Sequence, residues 1–285
     1  MTIKAYCIVV VWVLLIGCGI AVPVKAQPPA EFDLEDVDVS YIYAAVMGSG
    51  SYKIDGRRIT MLRLPFSWTQ RPMTEEQKGI KWYLPVVVGN DSVEGSDWFD
   101  ELFPDNLVTL TIMPGFEYQL PLSPRWTLKP FAYAGVTHDF VTDEVVLLGV
   151  AGLSSLTRFD LDEDWELRWG NKLRFAAEHQ VKSDFRTNFG IFETGFDLRR
   201  GTGWVVYGRE VDVSSYYRFQ HYIPEWDATS APDRQSELEN VHELGFSVGL
   251  KKPRKLFGIT FDRVRLGYKK GGDIRGFTIG GEFPF

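Results

Sequence analysis

The chain has 285 residues, with 31 Lys and Arg against 38 Asp and Glu and a formal net charge of −7 at pH 7. This acidic balance argues against nucleic acid as a partner, because binding to phosphates depends on clustered basic residues. Aromatic residues make up 14% of the chain and glycine occurs 27 times. Such a composition favours an all-β fold.

The N-terminus has the pattern of a secretory signal peptide. Lys4 precedes an apolar run from Ala5 to Val22, which is followed by Pro23 and the small residue Ala26. We therefore predict that residues 1–26 are removed by cleavage, which leaves 29 basic and 38 acidic residues and a net charge of −9. The alternative is a retained membrane-spanning helix, because about 18 apolar residues are near the spanning limit.

The two cysteines, Cys7 and Cys18, both lie in this leader. Cleavage after Ala26 leaves a mature chain without thiols, which excludes disulfides, cysteine nucleophiles and thiolate metal sites. The segment from Leu15 to Cys18 also resembles the lipobox of bacterial lipoproteins, so acylation of Cys18 is an open alternative.

Beyond the leader, apolar and polar residues alternate with a period of two. The segment from Leu107 to Leu120 has one apolar and one polar face, and 165–178 and 241–251 repeat the pattern. Helical phasing would scatter the same residues over several faces, so we predict strands. About twelve strands follow, at roughly 37–48, 57–68, 79–89, 106–120, 126–138, 144–158, 165–178, 187–199, 203–219, 240–251, 257–269 and 274–285. A change of phase near Asp262 predicts a β-bulge.

Strand length and loop length distinguish a membrane barrel from a soluble β-sandwich. Most of the predicted strands reach the 9–11 residues, approximately, that a tilted strand needs to cross a bilayer. Short connections alternate with longer ones such as 90–105 and 221–239, as in outer-membrane barrels. We predict a transmembrane, antiparallel, up-and-down β-barrel at 37–285, preceded by a short periplasmic segment at 27–36.

The polar faces of the strands carry charges of both signs, which suits a wet or salt-bridged lumen better than a dry core. We predict that these charges either form salt bridges that fill the barrel or line a narrow pore. The predicted lumen-lining residues are Glu117, Glu166, Arg168, Lys172, Arg174, Glu178, Glu193, Asp197, Glu243, Arg263 and Arg265.

The last predicted strand alternates apolar residues at Phe277, Ile279, Phe283 and Phe285. This ending resembles the signal that the outer-membrane barrel assembly machinery recognises. We expect the strand to pair with the first strand, with its odd-numbered side chains facing lipid and Phe285 at the periplasmic rim.

Taken with the leader, residues 37–285 resemble bacterial outer-membrane β-barrel proteins. The segment "YIYAAVMGSGSYKIDGRRITMLRLPFSWTQRP", residues 41–72, looks like that of solitary autotransporter-type barrels. The resemblance implies a location in the outer membrane of a Gram-negative cell, with lipid and the assembly machinery as partners. Autotransporters have a passenger and a plug helix, where this chain offers only "QPPAEFDLEDVD".

No motif in the sequence points to catalysis or to a cofactor. The histidines, His138, His179, His221 and His242, lack metal-ligand spacing. We therefore predict a porin-like or structural surface barrel that is not an enzyme and has no metal or cofactor. The alternative is a surface hydrolase that uses His138, Asp139 and the acidic loop at 91–101, although adjacent strand residues point to opposite faces. That loop could also bind calcium.

Overall fold

The computed structural model describes residues 41–54, 57–93, 108–183, 185–206, 208–223, 240–256, 259–272 and 274–285. The predicted leader, the 27–36 segment and nearly all of the acidic loop lie outside them. The described elements are α1 Ile42–Met47, β1 Ser49–Ile54, β2 Arg57–Arg71, β3 Gly79–Val93, β4 Thr109–Ile112, β5 Gly115–Ser123, β6 Trp126–Asp139, β7 Val145–Asp160, β8 Trp165–Gln180, β9 Arg186–Val206, β10 Arg209–Ile223, β11 Asn240–Leu256, β12 Ile259–Gly271 and β13 Ile274–Gly280.

The strands form one closed antiparallel sheet in which β13 pairs back with β1 and every strand other than β4 and β5 pairs with both of its neighbours in the chain. β4 and β5 share a single place in the wall, because both pair with β3 and with β6. The break between them falls at Met113 and Pro114, where proline has no N–H to donate. The wall is thus a twelve-stranded up-and-down barrel, which confirms the predicted fold class.

The barrel has an apolar outer face and a polar inner face. Phe246 and Phe277, which point outwards, are 69% and 71% exposed, whereas the inward Glu243 and Lys269 are at most 1% exposed. A soluble barrel has the opposite arrangement, because it must bury apolar side chains. This distribution is that of a transmembrane barrel, whose outer band contacts lipid. No helix in the described ranges is long and apolar enough to cross a membrane.

The two ends of the barrel differ in their connections. One end, called here the short-turn end, carries the connections 72–78, 124–125, 161–164, 207–208 and 257–258. The other end, the long-loop end, carries 55–56, 94–108, 140–144, 181–185, 224–239 and 272–273. The chain direction therefore places Asp139 and Gln180, the last residues of β6 and β8, at the long-loop end.

The predicted first strand at 37–48 is wrong over its described part, and residues 37–40 lie outside the described residues. Residues Ile42–Met47 form α1, and the first strand, β1, begins only at Ser49. A short apolar run has no distinctive period, so alternation could not separate strand from helix. Gly48 allows the reversal between α1 and β1, because its φ of 87° lies in the left-handed region.

Two connections between predicted strands, the one from 187–199 to 203–219 and the one from 240–251 to 257–269, lie within strands of the structure. β9 continues through 199–203, and β11 continues through 251–255. The register between β11 and β12 shifts between Gly249 and Arg254, on the strand opposite Asp262. The irregularity predicted near Asp262 is therefore present, but the extra residues are on β11.

Candidate functional site

The lumen of the barrel is the site with the most polar chemistry, and α1 occupies part of it. Ile42, Val46 and Met47 are buried. They belong to an apolar cluster with inward-facing side chains of the wall, which include Met61, Val87, Met113, Phe131, Val146, Leu148, Val150, Ala176, Ile191, Val241 and Ile274. The helix is therefore held by burial against the wall, since six residues are too few to be stable alone.

Wall residues also anchor the start of α1. The hydroxyl of Tyr41 donates to Oδ2 of Asp139 at 2.7 Å, and the N–H of Ile42 donates to Oε2 of Glu178 at 2.6 Å. Glu178 thus caps the helix, for which Tyr41 provides no side-chain cap. Burial and the neighbouring carboxylate of Asp139 raise the pKa of Tyr41. These contacts place the start of α1 near the long-loop end.

At the end of α1, the ring of Tyr52 turns into the lumen. Its hydroxyl donates to the carbonyl oxygen of Met47 at 3.2 Å, and Tyr52 is fully buried. The ammonium group of Lys269 lies over this ring, 5.4 Å from its centroid. Tyr52 therefore connects the helix to the charged side of the lumen.

The charged side is built around Glu193 on β9 and Glu243 on β11. Nε of Arg174 lies 2.9 Å from Oε1 of Glu193, and Nη1 of Arg218 lies 3.3 Å from its Oε2. Arg218 also pairs with Glu243, and Lys269 Nζ is 4.0 Å from that carboxylate. We call these five residues, Arg174, Glu193, Arg218, Glu243 and Lys269, the buried charge layer.

Neutral donors add hydrogen bonds to the two carboxylates. Gln220 donates to Glu193 at 3.0 Å. Tyr216 and Thr278 donate to Glu243 at 2.8 and 2.9 Å. Buried charges are tolerated only when paired and hydrogen-bonded. The ion pairs and hydrogen bonds of the layer run across strands from β8 to β13 and tie these strands together through the lumen. Nζ of Lys269 contributes an ion pair only, because no hydrogen-bond partner lies near it among the described residues.

Further charge pairs follow on the side towards the short-turn end. Arg263 pairs with Asp212 and donates to Ser247 at 2.6 Å. Arg199 pairs with Asp197 at 2.6 Å. Arg168 contacts both Glu166 and, at 3.6 Å, Glu282. These charges are therefore also paired with one another.

The last residues do not continue β13 along the wall. Instead, Phe283 and Phe285 turn into the lumen, where they are buried against Leu156 and Tyr216. The prediction that these two rings face lipid is wrong, whereas Phe277 and Ile279 do point outwards. Alternation predicted the conformation of an extended strand, and it could not anticipate that the chain would leave the wall after Gly280.

All eleven predicted lumen residues belong to the inner face. Arg174, Glu178, Glu193, Asp197, Glu243 and Arg263 are buried, and Glu117, Glu166, Arg168, Lys172 and Arg265 are partly buried. The sequence reasoning missed Arg218 and Asp212, although both lie in the predicted strand at 203–219. The register shift between Glu210 and Asp212 leaves the adjacent Val211 and Asp212 both buried and so interrupts the alternation. Further along, Arg218 alternates with the outward Tyr217 and the half-buried Phe219, a signal that was available in the sequence.

The histidines that the structure describes have different neighbours. His138 stacks edge-on against Phe140 at 4.6 Å, while the buried carboxylate of the adjacent Asp139 points into the lumen towards Tyr41. The two side chains thus lie on opposite faces of β6. His242 Nδ1 contacts the hydroxyl of Tyr217 at 2.7 Å. Among the residues described, no three His, Cys, Asp or Glu side chains are grouped to hold a metal ion.

The long-loop end has one exposed ion pair near His138. Lys182 Nζ lies 2.7 Å from Oδ2 of Asp143, and His138 Nε2 lies 3.9 Å from Oδ1 of the same carboxylate. The hydrogen bond and the charge of Lys182 lower the pKa of Asp143. This pair joins the 140–144 and 181–185 connections at the mouth of the barrel.

Comparison with known proteins identifies a solved structure with a similar fold. No protein-family model matches the sequence, and no curated protein matches it. Among solved structures, the chain is similar to the β domain of the Bordetella autotransporter BrkA, with a TM-score of 0.51 and 13% identity. The match covers 83% of this chain and 96% of the BrkA domain. The chain therefore shares the barrel fold of an autotransporter β domain.

Proposed function

We propose that this protein is a closed bacterial outer-membrane barrel that holds its long loops at the cell surface and does not conduct solutes. The long-loop end would face the outside, as in other outer-membrane barrels. Its membrane partner would be lipid, and the barrel assembly machinery would insert it. The proposal includes no passenger, cofactor or catalytic residue.

The observation that carries the proposal is the burial of the charge layer. Glu193, Glu243 and Lys269 are at most 1% exposed, and Arg218 is 5% exposed. In a water-filled pore these side chains would line the channel and contact solvent. Their burial and mutual pairing support a closed lumen on that side, and α1, which occupies part of the apolar side, supports it further.

Single-channel conductance of the full chain, purified from outer membranes, tests this proposal. We expect the wild type to give no steady conductance in a planar lipid bilayer. Replacing Arg174 and Arg218 together with alanine removes two long side chains from the charge layer, and we expect ion conductance to appear.

The matched control replaces Leu173 and Tyr217 with alanine. These residues precede Arg174 and Arg218 in the chain and are exposed on the outer face, so the control should stay closed. Heat-dependent migration on a gel checks that each variant is a folded barrel. A steady conductance of the wild type would contradict the proposal.

A further inference from the structure

The segment Gly281–Phe285, called here the tail segment, occupies the lumen although β13 leads it along the wall. β13 ends at Gly280. The rings of Phe283 and Phe285 then lie 4.8 Å apart in the interior, and a hydrogen bond from the N–H of Phe285 to the carbonyl of Phe283 closes a tight turn. Pro284 suits the centre of this turn, because its fixed φ is close to that of an inverse γ-turn.

Besides the burial of its two rings, the tail segment is held in the lumen by cations that bind its carbonyl groups. Nζ of Lys129 donates to the carbonyl oxygen of Phe285 at 2.9 Å, and Lys172 donates to that of Pro284. Nη1 of Arg265 donates to the carbonyl of Glu282 at 3.4 Å. None of these contacts is covalent, and each could be replaced by a strand hydrogen bond.

Between β2 and β12, beyond the ends of β1 and β13, no described strand fills the wall. We call this place, which an extended β13 would cover, the seam. β12 pairs with β13 only from Arg265 to Gly271. No described residue extends this pairing along Ile259–Val264, and β1 pairs with β2 only as far as Met61. Beyond that point, the N–H of Arg63 donates a hydrogen bond to the hydroxyl oxygen of Ser49 at 2.8 Å.

The seam is narrow. Where β1 and β13 lie between β2 and β12, three strand spacings separate these two strands by about 14 Å. Cα atoms of β2 and β12 nevertheless approach within 8 Å, so this approach must occur beyond the ends of β1 and β13. One inserted strand would need about 9.6 Å. The seam therefore has to widen by roughly 2 Å to accept it.

The sequence of the tail segment fits the wall as well as the lumen. In β13, Phe277 and Ile279 point outwards and the buried Thr278 points inwards. Continued alternation would direct Phe283 and Phe285 to lipid and Glu282 to the lumen. The β12–β13 register, in which Arg265 faces Gly280, would then bring Glu282 opposite Arg263.

We propose that the tail segment has two positions, one in the lumen and one in the wall along the free edge of β12. In the lumen it fills the interior near the short-turn end. In the wall it lengthens β13 and covers the seam. Its two rings stay in apolar surroundings in both positions, and the contacts of its carbonyl groups with cations are exchanged for strand hydrogen bonds. This inference goes beyond the proposed closed state of the barrel.

A nitroxide label at Phe285→Cys tests the two positions in the full chain, with Cys7→Ser and Cys18→Ser as background. The protein is reconstituted in phosphatidylcholine vesicles, and the label's collisions with oxygen are measured. We expect two spectral components, one protected from oxygen and one accessible from lipid. Phe277→Cys supplies the matched lipid-facing control. A single component at residue 285, whether protected or accessible, would overturn the proposal.

Crosslinking gives an independent measurement. Glu282→Cys with Arg263→Cys should form a disulfide in part of the population, because the wall position brings these residues opposite each other. The control pair is Tyr268→Cys with Phe277→Cys. These two residues face each other in the existing register, so the pair should crosslink in both positions of the tail segment. If the control pair crosslinks and the test pair does not, the tail segment does not enter the wall.

Discussion

Replacing Glu243 with glutamine is expected to destabilise the barrel strongly. The carboxylate of Glu243 binds Arg218, Tyr216 and Thr278, and Lys269 Nζ lies 4.0 Å away. Glutamine keeps one acceptor oxygen, but its NH₂ group would face a donor. Removing one partner of a buried ion pair costs about 3–5 kcal/mol. We expect a loss of about 3 kcal/mol, because Arg218 keeps its contact with Glu193.

Urea unfolding of the protein in lipid vesicles, followed by tryptophan fluorescence, measures this loss. With a slope near 3 kcal/mol per molar urea, the midpoint should fall by roughly 1 M. The matched control is Asp160→Asn, which removes the charge from the exposed pair between Arg125 and Asp160. Exposed pairs contribute about 0–1 kcal/mol, so the control midpoint should hardly move.

A double variant tests whether the loss arises from an unpaired charge. Combining Glu243→Gln with Lys269→Met removes the ammonium group that has lost its carboxylate. We expect the double variant to be more stable than the sum of the single variants by at least about 1 kcal/mol. If Glu243→Gln costs no more than Asp160→Asn, the charge layer does not stabilise the barrel and the reasoning is refuted.

Three further predictions concern the mouth, the outer face and assembly. Because the pKa of Tyr41 is raised in the folded protein, this residue stabilises the fold below about pH 10, its unfolded pKa. That contribution to the free energy of unfolding is lost at higher pH. Tyr41→Phe should remove this loss of stability at alkaline pH, as measured by urea unfolding at stepwise pH. Phe246→Arg, on the outer face, should cost about 2–4 kcal/mol in vesicles, whereas Phe140→Arg, beyond the end of β6, should cost much less; equal costs would contradict the lipid contact. Phe277→Ser should lower the heat-modifiable fraction in outer membranes, because this exposed ring is available for recognition during assembly, and an unchanged fraction would remove it from the assembly signal.

The sequence predicted the wall well where one face is apolar and the other charged. In β11, the outward Leu244, Phe246 and Val248 alternate with the inward Glu243 and Ser247, as expected from the alternation. A period of two fixes the face of every residue once the strand is recognised. Lumen residues could therefore be named without any knowledge of their partners.

Turn signals were less reliable, because the same residues also occur at strand irregularities. Pro253 falls between the predicted strands 240–251 and 257–269, but it lies in β11 within the register shift opposite Asp262. Proline is tolerated in a strand at such a position, where no ladder hydrogen bond is needed from its nitrogen. Gly203 lies inside β9 although its φ is 71°.

The contents of the lumen could not be predicted by periodicity. α1 and the tail segment are both short apolar stretches, and their position depends on contacts with distant strands. Ile42 is capped by Glu178 and Lys129 binds Phe285, contacts that span 136 and 156 residues of the chain. Such contacts are set by the closed barrel and not by local sequence.

The accessibility of the lumen to a small, charged, thiol-reactive compound in intact outer membranes tests the central claim most directly. In the Cys7→Ser and Cys18→Ser background, Ser247→Cys places a thiol on the inner face at a site that is 4% exposed. Ser183→Cys provides an exposed thiol at the mouth. A closed lumen predicts that residue 183 reacts rapidly while residue 247 is protected. Equal labelling rates at the two positions would show a water-filled lumen and contradict the account.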